Sequence, residues 1–150
     1  MTILLETREL ARRLLIYESE AGRSSEPEAS PTLRVYEKLR QSLSAFAGIA
    51  GFQSLASRAL ALARSDFPDL NEVRVTEDGT LYGLGEIERR IDVDKAARAK
   101  QPSEASIILI ARLLGLLLIF LGETLTLSLL RAKWPEAALN DRNFENGRKA

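Results

Sequence analysis

The sequence predicts a mainly α-helical fold: a small helical bundle around a long apolar C-terminal helix, with one short β-hairpin near residues 73–83. Three observations support this prediction. Apolar residues recur at three- and four-residue spacing through the N-terminal half, as they do on the buried faces of helices. A nearly continuous apolar run extends from Ala105 to Leu130. An Asp-Gly pair lies between two short strand-like segments, which is typical of a tight hairpin turn.

The first predicted helix covers about residues 2–20 and has one broad apolar stripe with charged residues on the other side. The stripe consists of Ile3, Leu4, Leu10, Ala11, Leu14, Leu15 and Tyr17. Leu5 and Ile16 fall outside it, on a face that is otherwise charged. They are interpreted either as isolated surface residues or as part of a second contact surface.

The second predicted helix begins at Ser30-Pro31, because serine is a good helix cap and proline suits the first turn. Its apolar face is Leu33, Tyr36, Leu39, Leu43 and Phe46. The glycines at 48 and 51 are expected to break it and start a third helix. The apolar face of that third helix, which ends before Pro68, is Phe52, Leu55, Ala56, Ala59, Leu60 and Ala63.

The hairpin is predicted from Val73–Thr76 and Thr80–Gly83, which flank Asp78 and Gly79. Two strands alone are only marginally stable in water. We therefore expect one face of the hairpin to pack on the helices, while an exposed strand edge is the alternative.

The long helix is predicted to extend from Glu104 to Lys133 and to lie at the centre of the bundle. Within its apolar run, Arg112 and Glu123 are the charged residues. The run is long enough to span a membrane. These two charges leave an uncharged stretch of 10 residues, Leu113 to Gly122, and each would cost about 2.5–3.5 kcal/mol at mid-bilayer. A central helix sheathed by amphipathic helices is therefore favoured over a membrane span.

Two features of the long helix are candidate sites. Small residues at Ala111, Gly115, Gly122 and Thr126 line up on the helical wheel, so this strip predicts either a close crossing within the chain or a self-association seam. Arg112 and Glu123 are predicted to be buried charges. They lie about 16 Å apart along a helix, so each needs its own partner.

The domain is predicted to comprise residues 1–135, since Trp134-Pro135 closes the long helix. Residues 136–150 are polar and are expected to form a disordered tail. The N-terminal residues show no secretory pattern, so a cytoplasmic location is expected.

The composition excludes several kinds of chemistry. The chain has no cysteine and no histidine, which removes disulfides, thiolate nucleophiles and the commonest general base and metal ligand. The 21 basic residues balance the 21 acidic ones, so the net charge does not favour nucleic acid. Gly83-Leu84-Gly85 lacks the third glycine of a dinucleotide-binding loop. We therefore expect no catalytic residues, no cofactor and no metal.

The predicted function is a non-enzymatic protein-interaction or regulatory module. Its expected partner is another protein or a second copy of the chain as a homodimer; a membrane partner is not expected. Two alternatives stay open. One is a membrane-active or membrane-anchored protein that uses the apolar helix at 105–130. The other is a bundle that binds a small apolar ligand between its helices.

Overall fold

The computed structural model describes residues 2–21, 30–84, 103–135 and 137, and the side chains of these residues except 2–6 and 21. Over these ranges the chain forms four α-helices, a short 3-10 helix and a two-stranded antiparallel sheet. The helices are α1 (Thr2–Ala21), α2 (Pro31–Asp66), α3 (Glu104–Leu121) and α4 (Glu123–Lys133). The 3-10 helix is Pro68–Glu72, and the strands are β1 (Arg74–Val75) and β2 (Leu81–Tyr82). The prediction of a small helical bundle with one hairpin is confirmed.

Helix α1 packs the predicted stripe into the core. Leu10, Ala11, Leu14 and Leu15 are buried, and Thr7 and Glu18 continue the same face at its two ends. This spacing matches the 3.6-residue period of a helix, so one side of α1 lies against α2 and α3.

Helix α2 begins as the sequence predicts. Ser30 is its N-cap, and its hydroxyl accepts a hydrogen bond from the Leu33 backbone N–H at 3.2 Å, while Pro31 occupies the first turn. Gly48 interrupts the helix with φ of 85° and ψ of 160°, a conformation that suits glycine because it has no Cβ. The expected break is therefore confirmed, and α2 consists of two helical segments joined at Gly48.

The hairpin packs on α2, as expected. The Tyr36 hydroxyl donates a 2.6 Å hydrogen bond to the Gly79 carbonyl at the hairpin turn. The Tyr36 ring meets Phe52 edge-on, with ring centroids 5.4 Å apart. Val73 and Leu81 are buried beneath the hairpin, while Tyr82 on its outer face is exposed. One face of the sheet therefore belongs to the core.

The prediction of one long helix from Glu104 to Lys133 is wrong. Helix α3 ends at Leu121, Gly122 takes φ of 91° and ψ of 163°, and α4 follows at once from Glu123. The Thr126 hydroxyl donates to the Leu117 carbonyl at 3.1 Å, so α4 folds back along α3. The long apolar helix is thus followed by another helix and is not C-terminal. Both flanking segments favour helix, and the turn depends on one glycine, which helical periodicity does not reveal.

Helix α3 is the centre of the bundle over its first three and a half turns. It is buried almost continuously from Ala105 to Leu117 and lies against both α1 and α2. Its N-cap is Ser103, and the Ser106 hydroxyl accepts a 2.8 Å hydrogen bond from Thr32 at the start of α2. The last turn of α3 exposes Ile119 and Phe120 to solvent, because the core ends before the helix does.

Candidate interaction surface

The bends at Gly48 and Gly122 lie toward the same end of the bundle. The Thr32–Ser106 hydrogen bond joins the starts of α2 and α3. Lys133, at the end of α4, donates a 3.2 Å hydrogen bond to Gln41 in the first segment of α2. Because α4 runs back along α3, Lys133 is level with about the middle of α3. At 1.5 Å per residue, Gly48 lies about 10 Å beyond Gln41, and Gly122 lies about 16 Å beyond the level of Lys133.

Four large apolar side chains at these bends are more than half exposed. Phe46 is 55% exposed and Ile49 is 52% exposed beside Gly48, while Ile119 is 74% exposed and Phe120 is 65% exposed before Gly122. We call these four residues the apolar end. Isolated exposed apolar residues are common on protein surfaces, but grouped ones mark binding surfaces. The sequence-based placement of Phe46 on a buried helical face is wrong, because the face extends beyond the core that covers it.

The two bends have the same local construction. Each has a phenylalanine two residues before a glycine, as Phe46 precedes Gly48 and Phe120 precedes Gly122. The two glycines have nearly the same backbone angles, with φ of 85° and 91°. An added Cβ at either glycine would meet no atom within 4 Å, so the requirement for glycine comes from the backbone angle and not from crowding.

The sequence around both bends is uncharged over long stretches. No charged residue occurs from Gln41 to Ser57, or from Leu113 to Gly122. Glu123 is exposed beside the second bend. An interface core depleted of charge with polar residues at its margin is the usual composition of a protein-binding surface.

A different cluster joins α1, α2 and Trp134, the residue directly after α4. Glu18 of α1 is buried, and its carboxylate accepts hydrogen bonds from Arg34 Nε at 3.2 Å and from Trp134 Nε1 at 2.8 Å. Lys38 Nζ pairs with the same carboxylate and lies 5.5 Å from the centroid of the Trp134 ring. Arg34 also donates to the Glu18 backbone carbonyl at 2.7 Å. We call these four residues the Glu18 clasp.

The clasp satisfies the buried carboxylate of α1 with two side chains of α2 and with Trp134, which directly follows α4. An unpaired buried carboxylate would be very costly, and here it has two cationic partners and an indole N–H. Trp134 is fully buried and is the largest side chain in the described core. The end of α4 is therefore held by packing and by charge together.

The residues predicted as a small-residue strip do not form an exposed seam. Ala111 is buried in α3, and Thr126 is buried in α4 with its hydroxyl bonded to Leu117. Gly115 is partly buried, and Gly122 is the bend itself. The strip prediction assumed an unbroken helix and is wrong in that respect, because the break at Gly122 turns Thr126 back toward α3.

The two residues predicted as a second contact surface on α1 stay predictions. Ile16 is partly buried. Leu5 lies within α1, and its side chain is outside the described residues.

The predicted buried charges differ from each other in the structure. Arg112 is half-buried and pairs with Asp66 at the end of α2, with Nη2 2.7 Å from Oδ2, so it has a partner of its own as expected. The prediction that Glu123 is buried is wrong. Glu123 is exposed in the first turn of α4, where a negative charge suits the helix dipole. It reaches solvent because the chain bends at the residue before it.

Sequence reasoning missed the Glu18 clasp, although a signal for it was present. Glu18 follows Leu14 by four residues and Leu15 by three, which places it on the buried stripe of α1. A carboxylate at such a position requires partners. The identity of those partners depends on the fold, since Trp134 lies 116 residues away.

A cleft of about 160 Å³ lies between α1, α2 and α3, lined by Arg8, Asp66, Ile108, Ala111 and Arg112. Both arginines have carboxylate partners there, since Arg8 pairs with Glu104 and Arg112 pairs with Asp66. Ligand pockets for drug-sized molecules are usually about 300–1,000 Å³, so this cleft gives little support to the alternative of an apolar ligand. Within the described residues, no group of three or more acidic side chains is placed to hold a metal ion.

Comparison with known proteins finds no matching family model, no similar curated protein and no similar solved structure. By length and composition, Pro31–Asp66 and Glu104–Leu121 could each cross a membrane among the described helices. The core helix of a soluble protein passes the same test, and just over half of the apolar window in α3 is buried in the bundle. The function is therefore interpreted from the chain's own surface.

Proposed function

We propose that this chain is a non-enzymatic protein-interaction module that associates with a second copy of itself through the apolar end. The observation that carries the proposal is the exposure of Phe46, Ile49, Ile119 and Phe120 beside two bends. The contacts of α2, α3 and α4 place both bends toward one end of the bundle. Phenylalanine and isoleucine in such positions favour removal from water.

A second copy is a suitable occupant on grounds of charge and shape. The chain has no net charge, and the stretches that form the bends contain no like charges that would repel each other across a symmetric interface. A symmetric dimer places the same patch on both sides. Each exposed aromatic ring of one copy thus has apolar partners on the other.

The size of the surface predicts a weak dimer. Complete burial of a phenylalanine or isoleucine contributes about 1.5–3 kcal/mol, so the exposed parts of four such residues on each of two copies contribute about 10 kcal/mol together. Association itself costs about 4–15 kcal/mol. We therefore expect reversible association with a Kd in the micromolar range or weaker.

The test is size-exclusion chromatography with light scattering over a range of protein concentrations, without detergent. The wild type is expected to shift from monomer toward dimer as concentration rises. The double variant Phe46→Ser/Phe120→Ser is expected to stay monomeric. Tyr82→Ser is the matched control, because Tyr82 is equally exposed but lies on the hairpin. A wild type that is monomeric throughout, or a double variant that still associates, contradicts the proposal.

A membrane-active function is the second candidate, and it has one specific observation in its favour. By length and composition, α2 and α3 could each cross a bilayer, and α2 would do so across its bend at Gly48. Against it, Glu123 is exposed beside Phe120, and a carboxylate is costly within lipid. Sedimentation with phosphatidylcholine vesicles separates the two functions. Co-sedimentation that is lost in Phe46→Ser/Phe120→Ser would favour the membrane over self-association.

A further inference from the structure

Helix α4 has polar anchors at the end far from the bend. Its described buried residues are Thr126, Leu127 and Leu130, and Trp134 follows directly after it. At its far end, the Trp134–Glu18 and Lys133–Gln41 hydrogen bonds attach it to α1 and α2. Thus the final turn of α4 and the residue directly after it anchor the helix to α1 and α2.

The connection between α3 and α4 is a single residue. The Gly122 N–H donates to the Leu118 carbonyl at 2.9 Å, and the Gly122 carbonyl accepts from the Thr126 N–H at 3.1 Å. Helical hydrogen bonding therefore continues up to Gly122 on one side and starts again from it on the other. A change of the Gly122 backbone angles to helical values would join residues 104–133 into one helix of about 45 Å.

This straight form agrees with the local preferences of the sequence. No proline occurs between Glu104 and Lys133, and the segment is rich in leucine, which favours helix. Straightening breaks the Thr126–Leu117 hydrogen bond between α4 and α3. In the straight form, α4 points away from the bundle by about 16 Å, so Trp134 cannot reach Glu18 of its own chain.

We propose that two copies exchange α4 about Gly122, with Trp134 of each chain entering the Glu18 clasp of the partner. This inference rests on the proposed self-association and specifies its geometry. Every contact of α4 in the closed form is re-formed with the partner subunit, which makes exchange of an identical element a low-cost route to a dimer. Ile119 and Phe120 lie next to the hinge, and in the exchanged dimer the two hinge regions can cover each other.

Gly48 provides an internal comparison, because it has nearly the same φ as Gly122 but the elements that follow it are held to the bundle by different contacts. The residues after it form the second segment of α2 and the hairpin, which docks on the first segment through Tyr36–Gly79 and Tyr36–Phe52. Opening at Gly48 would break these contacts and would also withdraw the core residues of the second segment, such as Phe52 and Leu60, from the first segment. Exchange is therefore inferred for Gly122 and not for Gly48.

The first test changes the hinge. Gly122→Ala disfavours the left-handed angle and leaves the helical one, so it is expected to raise the dimer fraction several-fold in light scattering after refolding. Gly115→Ala is the matched control, since Gly115 is in the middle of α3 and an added Cβ has open space. Gly48→Ala is expected to lower stability without raising the dimer fraction. A Gly122→Ala protein that folds and stays as monomeric as the Gly115→Ala control contradicts the exchange.

The second test detects the exchanged contact and needs no change at the hinge. The chain has no cysteine, so single-cysteine variants are unambiguous. Gln41→Cys carrying a size tag is refolded together with untagged Lys133→Cys and treated with a short bis-maleimide cross-linker. Exchange predicts a tagged–untagged product joined between positions 41 and 133, as located by peptide mass spectrometry.

The outcomes separate this inference from the proposed function. Dimers that give no 41–133 product leave the proposed self-association standing and overturn the exchange. Monomers in every variant and at every concentration overturn both.

Discussion

The Glu18 clasp and the apolar end show opposite uses of aromatic residues in one small bundle. At the clasp, Trp134 is fully buried and its indole N–H is bonded to a buried carboxylate. At the apolar end, the rings of Phe46 and Phe120 are more than half exposed to solvent. One region uses an aromatic ring to close the fold, and the other leaves aromatic rings in water, which lowers solubility without adding to stability.

This difference indicates where function is to be sought. A chain selected only for stability would not keep apolar side chains exposed together, whereas a binding surface requires them. The clasp is accounted for by the stability of the fold. The apolar end is not, so it is the better candidate for interaction.

The largest expected effect comes from removing the same kind of side chain in the two regions. Trp134→Ala is expected to lower the free energy of unfolding by about 3–5 kcal/mol, since it deletes a fully buried ring. Phe120→Ala is expected to change it by less than about 0.5 kcal/mol, because Phe120 is mostly solvated in the monomer. Urea denaturation followed by circular dichroism, at dilution where the protein is monomeric, measures both. Equal losses in the two variants would mean that the apolar end is part of the core.

A smaller loss is expected from the charge of the clasp alone. Glu18→Gln keeps the shape of the side chain but removes the charge that compensates Arg34 and Lys38. We expect a loss of about 2–3 kcal/mol, below the 3–5 kcal/mol of a fully buried broken pair because Lys38 is partly exposed. Glu9→Gln is the control, since Glu9 pairs with Arg13 on the exposed side of α1. If both variants lose equally little, the clasp contributes no more than a surface ion pair.

Much of the fold could be predicted from the sequence because it depends on local periodicity. The stripe of α1, the cap at Ser30 and the hairpin around Gly79 follow from spacing and from turn chemistry. The break at Gly48 was also predictable, because Gly51 follows closely and small residues surround both. These features depend on residues close in the chain.

The second bend and the candidate surface could not be predicted in the same way. Gly122 lies in a strongly helical apolar stretch, and its break depends on tertiary contacts that hold α4 back against α3 and α2. Phe46 and Ile119 have the apolar character of core residues. Their exposure depends on where the core ends, and periodicity does not determine that. Periodicity also does not reveal the break at Gly122, which is why Glu123 was expected to be buried.

The hairpin contact provides an intermediate case between the two regions, because it uses one neutral buried hydrogen bond. Tyr36→Phe removes the donor to the Gly79 carbonyl and is expected to lower the free energy of unfolding by about 1–2 kcal/mol. Burial raises the pKa of Tyr36 above its usual value, and the nearby Glu37 adds to the effect. The unfolded chain therefore loses this proton near pH 10, while the folded chain keeps it.

The contribution of Tyr36 to the free energy of unfolding is consequently present below about pH 10. It is lost as the pH rises further, because ionisation of the hydroxyl then favours the unfolded state. Urea denaturation between pH 7 and pH 11 should show a steeper alkaline loss of stability for the wild type than for Tyr36→Phe. Tyr82→Phe is the control, since Tyr82 is exposed on the same hairpin and should follow the wild type. Parallel alkaline losses in all three proteins would show that the buried hydroxyl does not control this pH dependence. A steeper alkaline loss of stability in the wild type and in Tyr82→Phe, but not in Tyr36→Phe, would show that the Tyr36–Gly79 hydrogen bond stabilises the fold. The β-hairpin contact would then resemble the Glu18 clasp, whose polar groups also stabilise the fold.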